Sequence, residues 1–327
     1  MATATVVGGG ISGVACAAAL AASGAGVRLV ERGHRLGGRM ASPTLRASGT
    51  AFDGRVADIG ASYFTASDPG FIDAVDRLIA LGVVRRWTTS FHVAGPLGIE
   101  GVTTGPMRYA ATGGLRTVVE AMADQLTDIA VELEHEITEV VAKGATVDVD
   151  GYRSDAVALC MPAPQAARVF AETPPSPVVW EPVIAVTCVF ERSTWIELDG
   201  VFVNDDPVLT WIADDGRRRG DGAPVLVAHV NPVLAARHLN DPASVAPLAI
   251  ATLQRVLGID AYPEWVDAHR WTYAKPLVGS AEPFWRHEYA PIGLAGDAWS
   301  DGPRVEAAWL SGRRLGAALA EGLSAPG

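Results

Sequence analysis

Three glycines and one acid near the start of the chain are spaced for binding a nucleotide. Gly8, Gly10 and Gly13 form the pattern G-x-G-x-x-G. Gly8 permits a tight turn, Gly10 lets the backbone approach a pyrophosphate, and Gly13 lets a helix pack closely on its strand. Glu31 follows at the distance that a dinucleotide-binding βαβ unit requires, and its carboxylate can accept hydrogen bonds from an adenosine ribose.

Two further motifs indicate which dinucleotide is bound. Gly38 and Arg39 stand in RLGGRMAS, where bare backbone and a two-pronged guanidinium suit a phosphate. This extension resembles that of FAD proteins of the glutathione-reductase-like and amine-oxidase-like group. Near the other end of the chain, Gly296 and Asp297 match the second element of that group, where the acid bonds a ribityl hydroxyl. We therefore predict FAD as the cofactor.

The predicted FAD contacts also use two helix N-termini. The helix after Gly10 directs free N–H groups at the phosphates, and a helix predicted from Pro303 directs its N-terminus at the flavin N1 and C2 carbonyl. A strand near Ile137 is predicted to pass the adenine. The predicted cofactor residues are Gly8, Gly10, Ile11, Ser12, Gly13, Glu31, Arg32, Gly38, Arg39, Gly60, Ala61, Ser62, Ile137, Pro162, Gly296, Asp297, Arg304, Val305 and Glu306.

The elements that position these residues predict an α/β fold with two domains. A Rossmann-type, glutathione-reductase-like FAD-binding domain is assembled from residues 1–60, 106–164 and 286–327. Residues 61–105 and 165–285 form a substrate domain. Its alternating segments PVIAVTCVFE, GVFVND, LTWIAD and PVLVAHVNP, separated by Gly, Pro and Asp, predict an antiparallel sheet. The 243–257 segment of this domain has the apolar spacing of a surface helix.

Composition narrows the class of protein further. The chain has 327 residues, of which 49% are hydrophobic, so it can bury a large core. A formal net charge of −11 argues against binding nucleic acid or an anionic membrane surface. The three cysteines stand singly, without the spacing of a metal site. No apolar run is long enough to span a membrane, and the first strand leaves no room for a signal peptide, so we expect a cytoplasmic protein.

Four segments resemble the bacterial renalase family in order and spacing: DIGASYFTASD, CMPAPQA, HRWTYAKP and GDAWSDGPRVEAAWLSG. The resemblance implies an FAD oxidase that uses O₂ to oxidise isomeric dihydronicotinamides, carrying hydride at the 2- or 6-position, to NAD(P)⁺ and hydrogen peroxide. It also implies kinship with amine oxidases and protoporphyrinogen oxidases. Ser62 and Ser67 stand where the family usually has an amide and an arginine, and both changes bear on substrate specificity.

Four residues are candidates for the catalytic pocket, each with an alternative role in simple core packing. Tyr63 follows the Gly-Ala turn that related folds place near the flavin, and His229 can bond a substrate carboxamide. Lys275 can hold a water near flavin N5, although the renalase pattern often has arginine there. Trp299 can cover the edge of the isoalloxazine. The basic run at 217–219 is interpreted as a solvated loop, with binding of a dinucleotide phosphate as the alternative.

The chemistry favoured by the sequence is hydride transfer from a small-molecule substrate to flavin and then to O₂. A second G-x-G-x-x-G is absent, so a nicotinamide would have to enter the flavin pocket itself. Hydride loss from a dihydropyridine yields an aromatic cation without a general base, and no acid–base pair stands out. The alternatives are an amine-oxidase-like or desaturating flavoenzyme acting on a small or apolar biosynthetic intermediate, and a non-catalytic flavin-binding protein.

Overall fold

The computed structural model of the protein describes residues 1–173, 178–299 and 302–324. Its first large sheet has six strands, of which five are parallel, as the βαβ pattern predicts. We call it the FAD-binding sheet after the prediction. With strands numbered in chain order, its strand order is β15 (Trp285–Arg286), β16 (Ile292–Leu294), β9 (Ala156–Leu159), β1 (Thr3–Val7), β2 (Gly26–Val30) and β5 (Ile129–Glu132). Only β15 pairs antiparallel to its neighbour.

Helices α1 (Ile11–Ala22), α3 (Arg116–Asp124) and α8 (Val305–Ser324) pack on one side of this sheet. Helices α1 and α8 approach through their backbones, because a Cβ on Gly312 would lie 1.9 Å from the Ser12 carbonyl oxygen. Helix α2 (Pro69–Ala80) buries Phe71 in the same apolar core, although the predicted boundaries assign it to the substrate domain. None of the helices in the described ranges has the length and apolar character needed to cross a bilayer.

The second large sheet has seven strands, drawn from the residues predicted to form the substrate domain and from residues 106–111. We call it the substrate sheet. Its neighbours pair antiparallel except β11 with β3, so the predicted antiparallel sheet is confirmed with one parallel pair. Its spatial order is β14 (Trp265–Pro276), β10 (Trp180–Val189), β13 (Val225–Val230), β12 (Leu209–Asp214), β11 (Gly200–Val203), β3 (Val84–Gly95) and β4 (Gly98–Ala111). Strand β4 therefore carries the chain through residue 106, the predicted domain boundary.

The two faces of the substrate sheet have different partners. Helix α7 (Ala246–Leu257), which confirms the predicted surface helix, buries Leu253 on the back face. On the opposite face, which we call the front face, Val227 packs against Ile59. Ile59 belongs to the loop that follows Gly37 and Gly38. The remaining elements are β6 (Val140–Lys143), β7 (Thr146–Val149), β8 (Tyr152–Ser154), α4 (Ala163–Val169), α5 (Asp215–Arg219) and α6 (Pro232–Arg237).

One local strand prediction is wrong. Ile137 lies in the loop between β5 and β6, where its buried side chain packs with Val140 and Val147 of the small sheet β6–β7–β8. Strand β5, which the sequence did not reveal, instead extends the parallel sheet beside β2. It is a half-exposed edge strand of four residues, too short and too uniform to show an alternating pattern.

Candidate cofactor and active site

The glycines in and around the turn after β1 have two different roles. Some are required because a side chain would clash with neighbouring backbone, and others leave backbone uncovered for a ligand. A Cβ on Gly8 would lie 2.6 Å from the Cys160 carbonyl oxygen, and one on Gly13 would lie 1.9 Å from the Gly8 carbonyl oxygen. Gly10 and Gly38 instead bring side-chain-free backbone close together, since a Cβ on Gly38 would lie 3.2 Å from the Gly10 Cα and one on Gly10 would lie 3.9 Å from the Gly38 Cα. Bare backbone of this kind is what the approach of a pyrophosphate requires.

The first turn of α1 offers unused donors beside these two glycines. Gly10 caps the helix without a side-chain hydrogen bond, and the Ser12 hydroxyl is buried without a partner. A buried hydroxyl is normally hydrogen-bonded, and an anion at a helix N-terminus supplies the missing acceptor. The predicted phosphate contacts of Gly10, Ile11 and Ser12 therefore fit FAD.

Glu31 fixes the geometry of the glycine turn. Its two carboxylate oxygens accept hydrogen bonds from the backbone N–H groups of Gly9 and Gly33, each at 2.7 Å. Because a carboxylate has about four acceptor sites, the group retains capacity for a ribose hydroxyl. The neighbouring Arg32 is exposed, and Pro162 precedes α4 at the end of β9. Their FAD contacts stay predictions.

The residues predicted at the phosphate and at the ribityl chain meet each other. The Arg39 guanidinium makes a two-pronged ion pair with the buried Asp297, at 2.8 and 2.5 Å, and also donates to the Ala274 carbonyl of β14 at 3.0 Å. Ala61 donates its backbone N–H to the Arg39 carbonyl at 2.9 Å. Next to this cluster, a Cβ on Gly296 would meet nothing within 4 Å. The four segments thus surround open space suited to the flavin end of FAD.

Glu306 has a different role from the one its position predicts. Its carboxylate accepts hydrogen bonds from the backbone N–H groups of Ser67 and Asp68, each at 2.6 Å, and from the Ser67 hydroxyl at 2.7 Å. The side chain therefore ties α8 to the start of α2. Helix α8 begins at Val305, two residues later than predicted, and Arg304 is exposed. Contact of this turn with flavin through its backbone stays a prediction.

The front face of the substrate sheet brings together two of the four catalytic candidates, Tyr63 and His229. The ring of Tyr63 lies 5.9 Å from the ring of Trp211, which is directly opposite His229 in the β12–β13 pairing. Lys275 of β14 is exposed, and its positive charge acts on the pKa of His229. Trp299 packs on the FAD-binding half instead, against the apolar cluster that includes Leu159.

His229 is held neutral by its surroundings. Burial, and to a smaller extent the positive charges of Lys275 and Arg218, together lower the pKa of its imidazole to about 3. A neutral imidazole offers one hydrogen-bond donor and one acceptor. The alternative of a simple core histidine leaves both unused, since neither ring nitrogen has a hydrogen-bond partner in the described part of the chain.

This pKa predicts an acid-sensitive fold. The unfolded chain takes up a proton on His229 near its ordinary pKa of 6.5, whereas the folded protein does so near 3. The stabilisation is therefore present above pH 6.5 and is lost as the pH falls, amounting to about 2 kcal/mol between pH 7 and pH 5. Urea unfolding of wild type and His229→Phe at both pH values tests this. The variant should lose about that much less stability, and equal losses would contradict a neutral His229.

The interpretation of 217–219 as a solvated loop is wrong for two of its three arginines. Arg218 and Arg219 are 1% and 3% exposed, in the one-turn helix α5. Asp215, three and four positions earlier, pairs with both of them. Only Arg217 lies at the surface, where it contacts Glu197 and Asp199.

Arg218 fixes the loop that joins the two halves of the protein. Its guanidinium donates to the Ser62 carbonyl at 2.9 Å and to the Asp58 carbonyl at 2.7 Å. Asp58 in turn accepts the backbone N–H of Leu115 at 2.7 Å. Burial raises the pKa of the Asp58 carboxyl, and Arg218 partly offsets this. Tyr63 and the predicted flavin contacts Gly60, Ala61 and Ser62 are thereby held at the front face of the sheet.

Sequence reasoning missed Arg108 entirely. This arginine of β4 is only 5% exposed and lies over the Phe91 ring, with its guanidinium carbon 4.1 Å from the ring centroid. Its neighbours Tyr63 and Trp211 belong to the face described above. A single arginine between a methionine and a tyrosine carries no local signal of burial.

Comparison with known proteins assigns the family. Residues 6–78 match the NAD(P)-binding Rossmann-like domain, and residues 80–319 match the flavin containing amine oxidoreductases. The chain belongs to the flavin-containing amine oxidoreductase family. This flavin family member is an FAD-dependent oxidoreductase, which confirms the predicted cofactor and the choice of an enzyme over a non-catalytic binding protein.

Solved structures share its fold at low sequence identity. A protein from Exiguobacterium sp. 255-15 described as a protoporphyrinogen oxidase is 16% identical, with a TM-score of 0.77 over 98% of this chain and 99% of the other. Cyclohexylamine oxidase from Brevibacterium oxydans IH-35A is 15% identical, with a TM-score of 0.74 over 99% and 100%. A double mutant of putrescine oxidase is 18% identical, with a TM-score of 0.71 over 97% and 99%.

Proposed function

We propose that this flavoenzyme is an oxidase of isomeric dihydronicotinamides, which it converts with O₂ to NAD(P)⁺ and hydrogen peroxide. The observation that carries the proposal is the neutral His229 on the front face of the substrate sheet. The charged groups that act on its pKa, Lys275 and Arg218, are both cations. A site of this kind provides a hydrogen-bonding group for a carboxamide, and an imidazole with so low a pKa is a weak base.

The absence of a base suits this substrate class. Hydride leaves a dihydropyridine with its bonding electron pair, and the ring becomes an aromatic cation without any deprotonation. The protein then has to position a ring and exclude water. Tyr63 and Trp211 present aromatic surfaces for stacking a planar ring beside His229.

FAD, when bound, supplies a two-electron acceptor that O₂ regenerates. Gly10, Ser12 and Gly38 would hold its pyrophosphate, with Glu31 at the adenosine ribose. The Arg39–Asp297 pair would meet the phosphate and the ribityl chain. The loop fixed by Arg218 keeps Tyr63 on the substrate side of that site.

An anaerobic experiment tests the proposal. The FAD-loaded protein is mixed with 2- and 6-dihydro isomers of NAD(P)H, and separately with ordinary NADH and NADPH, while absorbance at about 450 nm is followed as the flavin band. Fast bleaching by one isomer, absent with the ordinary forms, is expected. Cyclohexylamine and putrescine serve as comparison donors. Bleaching by an amine without bleaching by any dihydronicotinamide would overturn the proposal.

The second candidate is oxidation of a small amine, and the family match favours it. Solved structures with this fold include cyclohexylamine oxidase and putrescine oxidase. The aromatic surfaces of Tyr63 and Trp211 would suit a neutral amine. The cations Lys275 and Arg218 near His229 count against a substrate that carries two positive charges.

A further inference from the structure

The guanidinium of Arg108 is a buried cation without a counter-ion. Its Nε and Nη1 atoms are shielded from solvent and have no hydrogen-bond partner. Across the described ranges, no Asp or Glu forms an ion pair with it. Other buried arginines are compensated, as Arg218 is by Asp215. Burying an unpaired charge is strongly unfavourable, so a protein retains one where a ligand supplies the missing partner.

The surroundings of Arg108 hold its charge in position without neutralising it. The Phe91 ring lies under the guanidinium carbon at 4.1 Å, and the Tyr63 ring is 5.6 Å away. Contacts between a cation and aromatic faces recover part of the lost hydration but satisfy none of the N–H donors. The Tyr63 side chain is half-buried, and its neighbour Ser62 is held by Arg218.

A second orphan donor borders the same rings. The indole N–H of Trp211 is buried without an acceptor, and its ring lies 4.8 Å from Phe91 and 5.9 Å from Tyr63. Trp87, on the other side of Phe91, has by contrast given its indole N–H to Asp199 at 3.0 Å. Three buried donors without acceptors, two on Arg108 and one on Trp211, thus lie around the Phe91 ring.

We propose that Arg108 binds an anionic oxygen group, a carboxylate or a phosphate, of the enzyme's substrate. The guanidinium would donate charge-assisted hydrogen bonds to the anion, and Trp211 would add a neutral one. The inference rests on the proposed function in placing substrate beside Tyr63 and His229. A dihydronicotinamide nucleotide brings phosphate, and a small reduced heterocyclic or amino acid brings carboxylate.

Equilibrium binding to the FAD-loaded protein in air tests this without requiring turnover. The probes are benzoate, phenyl phosphate and the uncharged benzamide, which share one phenyl ring, and the readouts are the flavin spectrum and tryptophan fluorescence. At least one anion should bind saturably and more tightly than benzamide. Arg108→Met should weaken that anion at least about tenfold and leave benzamide unchanged. The preferred anion identifies its source.

Thermal unfolding distinguishes a ligand-binding Arg108 from one that stabilises the fold, because the two roles predict opposite changes in Tm when the side chain is replaced. Without anion, Arg108→Met should raise the Tm of the FAD-loaded protein by about 2 °C or more, because an uncompensated buried charge is removed. The matched control is Arg86→Met on the adjacent strand β3, whose side chain is 63% exposed and 3.9 Å from Asp76. It should change neither anion binding nor Tm appreciably.

Three results would overturn the assignment: equal binding of the anions and benzamide by wild type, unchanged anion affinity in Arg108→Met, or a lower Tm in that variant. If Arg108→Met does not fold, the comparison of anions with benzamide on wild type decides. Failure of the proposed dihydronicotinamide activity is visible separately, as flavin that does not bleach while anion binding persists.

Discussion

Replacing Gly10 by valine yields a folded protein that does not retain FAD. The backbone at Gly10 has φ −81° and ψ 179°, a conformation open to any residue, so the substitution introduces no strain. Its Cβ would meet only the Gly38 Cα, at 3.9 Å, which is an ordinary van der Waals contact. The valine methyl groups would cover the bare backbone that the pyrophosphate is proposed to approach. We expect FAD affinity to fall at least about a hundredfold, about 2.7 kcal/mol.

The measurement is the FAD content of purified protein, with far-UV circular dichroism as the test of folding. Gly101→Val is the matched control, because a Cβ at that exposed position of β4 meets nothing within 4 Å. Gly13→Val marks the opposite case, since its Cβ would overlap the Gly8 carbonyl oxygen and prevent α1 from packing. A yellow Gly10→Val protein with full FAD content would refute the proposed approach of the pyrophosphate to Gly10.

The second large effect concerns Arg218. Arg218→Met leaves the Asp215 carboxylate with one of its two arginines, and leaves the carbonyls of Asp58 and Ser62 without their donor. Removing one partner of a buried ion pair typically costs about 3–5 kcal/mol, because the remaining charge stays desolvated. The free energy of unfolding in urea should fall by that amount. The loop bearing Tyr63 should also hold FAD less tightly.

Arg217→Met is the matched control for this prediction. Arg217 belongs to the same one-turn helix, but its side chain is 41% exposed and its partners Glu197 and Asp199 lie at the surface. Exposed pairs contribute about 0–1 kcal/mol. The two variants should therefore differ by several-fold in their loss of stability. Similar losses would mean that the buried Arg218 contributes no more to the free energy of unfolding than the exposed Arg217.

Local patterns predicted the parts of the fold that local patterns determine. The βαβ unit follows from the glycine spacing and from apolar strands around a small-residue helix, and these positions are set within one stretch of about 30 residues. Strands β10, β12 and β13 of the substrate sheet were likewise predicted, because apolar and polar residues alternate along them and turn residues flank them. Pairing order, including the parallel β11–β3 contact, depends on the whole sheet and left no local trace.

The parts that the sequence did not predict depend on distant partners. Arg218 is buried because the Asp58 and Ser62 carbonyls, which lie 160 and 156 positions away, accept its hydrogen bonds. The one available signal was DDGRRR, in which an acid precedes two arginines at helical spacing. Arg108 had no such signal, because its environment is made by Phe91 and Tyr63 from other segments.

The order of strands across the FAD-binding sheet has a consequence for biosynthesis. Strands β1 and β16 come from opposite ends of the chain, with only β9 between them, and α8 packs on α1. A ribosome therefore delivers Gly10 well before Asp297, and a nascent chain has only one side of the flavin pocket until Asp297 emerges. Until α8 emerges, the apolar surface of α1 that α8 covers is exposed and is a target for chaperones. Tight binding of FAD thus has to wait for the synthesis of the segment that carries Asp297 and α8.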